Sequence, residues 1–358
     1  ESRCLLADSS RLINLSLRRL NISPRIIINK GKIMKALVCN EFGPTENLVL
    51  EERSVPTPGK GEILVDIKAA GVNFPDVLTV QGKYQFKPEL PFIPGAEVAG
   101  IVSAVGEGVV SHKVGDKVIS TLQIGGFSEQ CVASEHGSFG MGETMSFEQA
   151  AGFAITYGTS YYALKQQANI QPGETLLVLG AAGGVGIATI QIAKAMGVKV
   201  IAAASSEEKL DFACEAGADL RINYSEENLK DKVKELTGGK GADVIYDPVG
   251  GDFSEQAFRA IAWNGRFLVI GFASGPIPKI PLNLCLLKGA SLVGVFWGAW
   301  AARSPMESRQ NFDELIAMID GGQFSPLVTE VYSLDDYKSA FASISERRAK
   351  GKVILSMD

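Results

Sequence analysis

The sequence contains few histidines and few cysteines for its length of 358 residues. The two histidines are His112 and His136, and the five cysteines are scattered, with no pair at a Cys-x-x-Cys spacing. Zinc ribbons and disulfide frameworks need clustered cysteines, so the sequence disfavours both. A Ser–His–Asp hydrolase or a histidine-rich metal site has only these two histidines to draw on.

Long hydrophobic runs are also missing. No apolar stretch approaches the roughly 20 residues that a membrane-spanning helix requires. With 46% hydrophobic residues and 39 glycines, the composition is typical of a globular α/β enzyme, and the length indicates two domains. The net charge is −5, and this acidic balance does not favour nucleic acid as the main partner.

The first 33 residues differ from the rest of the chain. They carry seven basic and two acidic side chains, and residues 11–20 are amphipathic when wound as a helix. An arginine-rich, acid-poor, amphipathic leader is typical of a mitochondrial presequence, which predicts a mitochondrial protein. Alternatively, these residues precede a native start at Met34, which predicts a cytoplasmic one. Residues 1–33 therefore do not enter the fold prediction.

The most informative stretch is a strand, a glycine turn and a helix in succession. Residues 176–179 are apolar and of strand length, residues 180–186 are small, and residues 187–196 have apolar positions at helical spacing. This geometry presents main-chain N–H groups and a positive helix end to a pyrophosphate. The pattern alone is weak, because Ala181 stands where the dinucleotide fingerprint has its first glycine. Further apolar runs follow at the distances of βαβ units, at residues 199–204, 242–246 and 266–271.

Three blocks together resemble the medium-chain dehydrogenase/reductase superfamily. They are Gly71–Asp76, Pro94–Gly100 and Gly180–Gly186. The resemblance covers about residues 34–358 and is nearest to the zinc-independent quinone oxidoreductase branch. It implies an α/β protein with a Rossmann-type doubly wound parallel sheet over residues 158–292. It also implies a GroES-like β-barrel catalytic domain built from residues 34–157 and 293–358.

The resemblance also bears on metal. Asn73 and Ala96 occupy positions that carry Cys and His ligands in the zinc alcohol dehydrogenases. Zinc needs thiolate, imidazole or carboxylate donors, so we expect no metal site. We expect Glu97 to be a buried or turn carboxylate.

The end of the second Rossmann strand predicts the cofactor. NAD selectivity usually needs a carboxylate at this point, where this chain has Ser205 and Ser206. Small hydroxyl residues leave room for a 2′-phosphate, and in the resembling branch Ser206, Lys209 and Tyr224 hold that phosphate. The predicted cofactor is therefore NADPH. The feature that agrees least with this prediction is the pair of acidic residues after Ser206, Glu207 and Glu208. The alternative interpretation is a capping serine, a solvated lysine and a packed tyrosine.

The full set of predicted cofactor-binding residues is longer. It comprises Asn73, Thr159, Ala182, Gly183, Gly184, Val185, Ser205, Ser206, Lys209, Tyr224, Gly271, Phe272, Phe296, Trp297, Gly298 and Arg348. Phe296 and Trp297 would exclude water from the hydride path, or else pack in the core or at a subunit interface. Arg348 would reach the cofactor phosphates, or else remain a solvated charge at a helix end.

The implied reaction is hydride transfer from NADPH to a quinone or an α,β-unsaturated carbonyl. Asn73 is the candidate donor to the developing oxyanion. Many members of the branch have tyrosine at the position of Leu78 and arginine at that of Val80, so the acid often proposed there is missing. Tyr84 and Tyr157 are candidate substitutes, with solvent as a further proton source.

Two other functions are open on the sequence. One is reduction of 2-enoyl thioesters, and the other is an NADPH-binding, crystallin-like scaffold with little turnover. The predicted partners are a small-molecule acceptor and a second copy of the chain. The apolar strand 292–296 would pair across a twofold axis in such a homodimer, or else be an inner strand.

Overall fold

The computed structural model describes residues 32–357. The strands are β1 (Ile33–Val38), β2 (Val49–Ser54), β3 (Glu62–Val72), β4 (Glu97–Val105), β5 (Lys117–Thr121), β6 (Gln130–Ser134), β7 (Ser138–Gly140), β8 (Thr175–Leu179), β9 (Lys199–Ala204), β10 (Leu220–Asn223), β11 (Ala242–Asp247), β12 (Ile261–Val269), β13 (Ser291–Gly294), β14 (Val328–Ser333) and β15 (Lys352–Ser356). The helices are α1 (Phe74–Val80), α2 (Phe147–Ala151), α3 (Ala154–Tyr162), α4 (Gly184–Ala195), α5 (Glu207–Glu215), α6 (Leu229–Leu236), α7 (Asp252–Arg259), α8 (Asn283–Lys288), α9 (Trp297–Arg303), α10 (Pro305–Asp320) and α11 (Tyr337–Ser345).

Six strands form a parallel sheet in the order β10-β9-β8-β11-β12-β13. The central strands β8 and β11 are almost entirely buried. This burial explains why their sequences are nearly continuous apolar runs and do not alternate between apolar and polar residues. The strand order reverses between β8 and β11, and ligands of such sheets bind at the carboxyl ends of the strands beside this point. The predicted Rossmann-type sheet is confirmed.

The other domain is built on a seven-stranded sheet. Its order is β14-β15-β3-β4-β5-β7, and β6 pairs with β3. The long strand β3 pairs antiparallel with β4, β6 and β15, so it joins the amino-terminal strands to the last strand of the chain. The predicted β-rich domain that uses both ends of the chain is therefore present.

The domain boundaries differ from the predicted ones. The predicted boundary at 292/293 falls inside β13, which is the last strand of the parallel sheet. The Phe312 ring of α10 lies 4.0 Å from that of Phe139 in β7 and 5.9 Å from that of Phe153, which precedes α3. The chain rejoins the other sheet at β14. The structure thus places the whole of β13 in the nucleotide-binding domain, and α10 contacts both domains.

The leader prediction concerns residues 1–33, and residues 1–31 lie outside the part that the structure describes. Between residues 32 and 357, no helix is both long enough and apolar enough to cross a membrane.

Candidate active site

The glycine turn lies between β8 and α4. Gly180 has φ of 58°, a left-handed conformation that glycine adopts without strain. A Cβ at Gly186 would lie 2.6 Å from the carbonyl oxygens of both Gly180 and Ala181, so only glycine lets α4 approach the turn this closely. Helix α4 begins at Gly184. Its first N–H groups and its positive end are therefore available to an anion at this turn.

Four side chains from three segments gather beside this turn. Ser206 caps α5, and its Oγ accepts a hydrogen bond from the Lys209 main-chain N–H at 3.4 Å. Burial raises the pKa of Tyr224, while a hydrogen bond to the Ser205 side chain and the charge of Arg347 act in the opposite direction. The structure thus brings the predicted residues Ser205, Ser206, Lys209 and Tyr224 together at the carboxyl ends of β9 and β10. Ser206 is also the capping serine of the alternative interpretation.

Arg347 is a member of this cluster that the sequence interpretation missed. Lys209 Nζ donates to its carbonyl oxygen at 3.0 Å, and Arg347 Nη2 donates to the carbonyl oxygen of Ser274 at 3.2 Å. The predicted Arg348 instead forms an ion pair with Glu346, at 2.7 Å. Arg347 has φ of 59°, and this left-handed residue gives the two neighbouring arginines different surroundings.

A buried charged cluster lies in the β-rich domain. The ammonium group of Lys352 in β15 forms an ion pair with Glu97 Oε1 in β4 and donates to Asn73 Oδ1 at 2.6 Å. Asn73 Nδ2 donates to Glu97 Oε1 at 2.9 Å and to the Gly71 carbonyl oxygen at 3.3 Å. The other carboxylate oxygen of Glu97 accepts from the Ile155 N–H at 2.8 Å. Glu97 is 0% exposed, so the prediction of a buried carboxylate is confirmed.

These contacts change the role predicted for Asn73. Both hydrogens of its amide group are directed to acceptors within the protein. The predicted hydrogen bond from Asn73 to a substrate oxyanion would require one of these bonds to break. Asn73 therefore serves this arrangement as a link between Glu97 and Lys352.

Asp76 and Tyr84 lie next to the cluster. The carboxylate of Asp76 accepts from the Asn73 main-chain N–H at 2.8 Å. Burial raises the pKa of Asp76 to about 7, and the nearby charge of Glu97 adds to this rise while that of Lys352 opposes it. Burial, followed by the charge of Asp76, also raises the pKa of Tyr84. The raised pKa keeps the candidate acid Tyr84 protonated beside Asp76.

Tyr157, the other candidate acid, is placed elsewhere. Its hydroxyl donates to Gln191, its ring stacks on Phe153 and Phe324, and it is buried. Burial raises its pKa far above the ordinary value. The structure therefore rules out the expectation that Tyr157 meets a substrate.

The cluster and the glycine turn are tied together by the residue before β15. Gly351 N–H donates to the Ala182 carbonyl oxygen at 2.7 Å, and Gly351 forms a parallel bridge with Gly183. A Cβ at Gly184 would meet the Gly351 carbonyl oxygen at 3.2 Å and the Lys352 side chain at 3.8 Å. The predicted turn residues Ala182–Val185 are thus in contact with the segment that carries Lys352.

The other predicted cofactor-binding residues lie after β12, on α3 and around the start of α9. Gly271 and Phe272 follow β12, where Gly271 N–H donates to the Asp247 carbonyl oxygen at 3.3 Å, at the same sheet edge as the turn. Thr159 is half-buried on α3. Trp297 packs against Gly158, where a Cβ would lie 2.9 Å from the indole. Phe296 is 63% exposed and Gly298 is exposed too, so in the single chain these residues do not form the predicted closed aromatic wall.

The sequence around Lys352 could have indicated its role in the cluster. It is the charged residue in the otherwise apolar run Lys352–Leu355. A lysine in a buried strand needs a buried anion, and Glu97 begins another apolar strand. Asp76 and Arg347 carried no comparable signal, because their surroundings depend on the fold.

Two sequence families match this chain. Residues 59–172 match the family described as alcohol dehydrogenase GroES-like domain, and residues 184–320 match the family described as zinc-binding dehydrogenase. Within residues 32–357, no three His, Cys, Asp or Glu side chains are grouped so that they could hold a metal ion.

Curated relatives extend over almost the whole chain. The quinone oxidoreductase-like protein 2 homolog of Nematostella vectensis is 44% identical over 329 residues, which cover 91% of this chain and 89% of the relative. The chain belongs to the quinone oxidoreductase family. The crystal structure of a quinone oxidoreductase from Pseudomonas syringae matches with a TM-score of 0.85 and 35% identity, and the match covers 90% of this chain and 99% of the Pseudomonas chain. The Escherichia coli quinone oxidoreductase complexed with NADPH has a TM-score of 0.84 and 32% identity, with the same coverage. The predicted family and fold class are confirmed.

Proposed function

We propose that the chain is an NADPH-dependent oxidoreductase that transfers hydride to a quinone or an α,β-unsaturated carbonyl without zinc. The observation that carries the proposal is the cluster of Ser206, Lys209, Tyr224 and Arg347 beside the glycine turn. Hydroxyl groups and two cations at the end of β9 suit a 2′-phosphate, which carries negative charge and accepts several hydrogen bonds. The complex of the Escherichia coli quinone oxidoreductase with NADPH agrees with this cofactor.

The two glutamates after Ser206 do not oppose a 2′-phosphate, because each has a partner elsewhere. Glu207 accepts from Asn223 Nδ2 at 3.0 Å and lies 3.5 Å from an Arg221 nitrogen. Glu208 forms an ion pair with Lys350 at 2.7 Å, and this contact lowers the pKa of Glu208. Both carboxylates therefore already have hydrogen-bonding or cationic partners within the protein.

The site also fits a reaction without zinc. Lys352 places a positive charge between Asn73 and Glu97, so a second cation at these residues would be repelled. Neither Asn73 nor Ala96 offers the thiolate or imidazole that zinc prefers. When bound, NADPH supplies the hydride from its dihydronicotinamide ring. The glycine turn and the cluster at the end of β9 would hold its phosphates, and Tyr84 is the proposed proton donor to the reduced acceptor.

The test compares NADPH and NADH as donors to a panel of quinones, enones and 2-enoyl thioesters. The proposal predicts oxidation of NADPH, in preference to NADH, by quinones or enones. A strong preference for thioesters would favour the enoyl reductase. Tight NADPH binding with no oxidation by any acceptor would favour the crystallin-like scaffold.

We further propose a homodimer formed through the edge of the parallel sheet. Strand β13 is one of the two edge strands of this sheet, and exposed apolar side chains precede it on α8 and follow it before α9. Leu286 is 80% exposed, Leu287 65% and Phe296 63%. Pairing of two copies would cover this edge and these side chains.

We also propose, from the composition of residues 1–33, that the protein is imported into mitochondria. Import of a fluorescent protein fused to these residues supports the proposal. Cytoplasmic fluorescence would favour a native start at Met34.

A further inference from the structure

Lys352 is a charged residue on a buried strand. It is 5% exposed, and Val353, Ile354 and Leu355 after it are fully buried. Its partner Glu97 is 0% exposed. Removing two such ions from water costs several kcal/mol for each ion, and apolar or neutral residues of similar volume often pack at least as well. Packing alone therefore does not account for this pair.

The pair fixes the orientation of the Asn73 amide. Lys352 can only donate hydrogen bonds and an ionised Glu97 can only accept them. The amide oxygen of Asn73 must therefore face Lys352, at 2.6 Å, and the amide nitrogen must face Glu97, at 2.9 Å. The flipped amide would place oxygen against oxygen and nitrogen against nitrogen.

The stem of Lys352 joins this amide to the glycine turn. A Cβ on Gly152 would lie 2.5 Å from the Lys352 Cγ, and one on Gly184 would lie 3.8 Å from its Cδ. The stem thus runs between the start of α4 and Gly152, the residue that follows α2. The preceding Gly351 N–H donates to the Ala182 carbonyl oxygen at 2.7 Å, so main chain and side chain both connect the turn to Asn73.

We propose that Lys352 is a positioning residue of the reaction site, which holds the Asn73 amide in one orientation and fixes it relative to the glycine turn. This inference rests on the proposed function, because it assigns Lys352 to that reaction.

The test separates the charge of the ion pair from the orientation of the amide. Lys352→Met leaves Glu97 buried and unpaired, so its melting temperature should fall. Combining Lys352→Met with Glu97→Gln removes both charges and should restore much of the melting temperature. Asn73 precedes α1, the helix that leads to the proposed proton donor Tyr84. Because Asn73 would no longer be fixed against the glycine turn in this double variant, kcat should stay about 10- to 100-fold below wild type. The KM for NADPH should change little, since the 2′-phosphate cluster is intact.

Two further variants serve as controls. Lys352→Arg keeps the charge and the donors and should retain more activity than Lys352→Met. Lys338→Met removes an exposed lysine from α11 and should behave as wild type. A double variant that regains stability and also has the kcat of wild type would overturn the proposal, because the ion pair would then serve folding alone.

A second readout needs no cofactor. In protein labelled with 15N-asparagine, the Asn73 side-chain signal is assigned by its loss in Asn73→Ala. Its amide protons should exchange with solvent slowly in wild type and faster in the double variant, and equal rates would overturn the proposal. If wild type binds no NADPH, the proposed function is wrong, and this exchange experiment still decides the role of Lys352.

Discussion

The Nζ of Lys209 in α5 donates a hydrogen bond to the main-chain carbonyl of Arg347 at 3.0 Å. The two residues come from different domains and meet near Tyr224. Burial raises the pKa of Tyr224, and the charge of Arg347 opposes this rise. Two cations therefore lie close together near the end of β9. This arrangement favours a doubly charged phosphate over a ribose hydroxyl.

Replacing Lys209 with glutamate should raise the KM for NADPH by about 10- to 100-fold, since a charge-assisted hydrogen bond contributes roughly 1.5–3 kcal/mol. The KM for NADH should change little, because NADH has no 2′-phosphate. Steady-state kinetics with both cofactors and one quinone measure this ratio. An unchanged ratio would remove Lys209 from the phosphate site, and Lys338→Glu controls for the altered net charge.

Arg347 and Arg348 form a matched pair of variants. Arg347→Ala should weaken NADPH binding about 10-fold or more, whereas Arg348→Ala should bind NADPH as wild type does, because Arg348 is paired with Glu346. Titration of each variant with NADPH, followed by its fluorescence, gives both dissociation constants. Weaker NADPH binding by Arg348→Ala than by Arg347→Ala would contradict this prediction and would indicate that Arg348 contacts the phosphate.

Arg347 and Arg348 show which parts of the site could be predicted from the sequence and which could not. The fold and the position of the dinucleotide site could be predicted from local features of the sequence. These features are the spacing of apolar residues in strands and helices, the glycine turn, and Ser206 at the end of β9. The identity of the nearby arginine could not, because adjacent residues in a turn face in different directions and Arg347 has φ of 59°. The resemblance pointed to the arginine one position later.

The buried cluster was beyond prediction for another reason. Lys352 and Glu97 are separated by 255 positions and meet only because β3 pairs with both β4 and β15. The position of Asn73 was predicted, but the saturation of its amide by Glu97 and Gly71 depends on this pairing. The boundary at 292/293 was wrong because the parallel sheet takes one more strand, and α9 and α10 follow it.

Asp76 should make the stability of the protein depend on pH. Its pKa rises from 3.8 to about 7 on folding, so the folded state retains a proton that the unfolded state has lost between these values. The contribution of Asp76 to stability should therefore fall as pH rises from about 4 to about 7, by up to about 4 kcal/mol at about 1.4 kcal/mol per pH unit.

Asp76→Asn removes this titration and retains an acceptor for the Asn73 N–H. The difference in unfolding free energy between wild type and this variant, measured by urea denaturation across the pH range, should show the fall. Asp335→Asn, at an exposed position, is the control. Parallel curves for wild type and Asp76→Asn would mean that Asp76 ionises normally.

Leu286 tests the proposed dimer. Leu286→Asp places a charge among the exposed leucines next to β13, and burying it at an interface would cost several kcal/mol. Sedimentation should show a dimer for wild type and a monomer for the variant. Met306→Asp changes another exposed apolar residue, 86% exposed, and should leave the dimer intact. A monomeric wild type would rule out the edge pairing.

The most direct test of the account is the oxidation of NADPH by an ortho-quinone, followed by the loss of dihydronicotinamide absorbance in protein treated with a strong chelator. The account predicts turnover that the chelator does not reduce, with NADPH strongly preferred over NADH. Activity that disappears with the chelator and returns with zinc would contradict it, and so would protein that binds NADPH and reduces no quinone or enone.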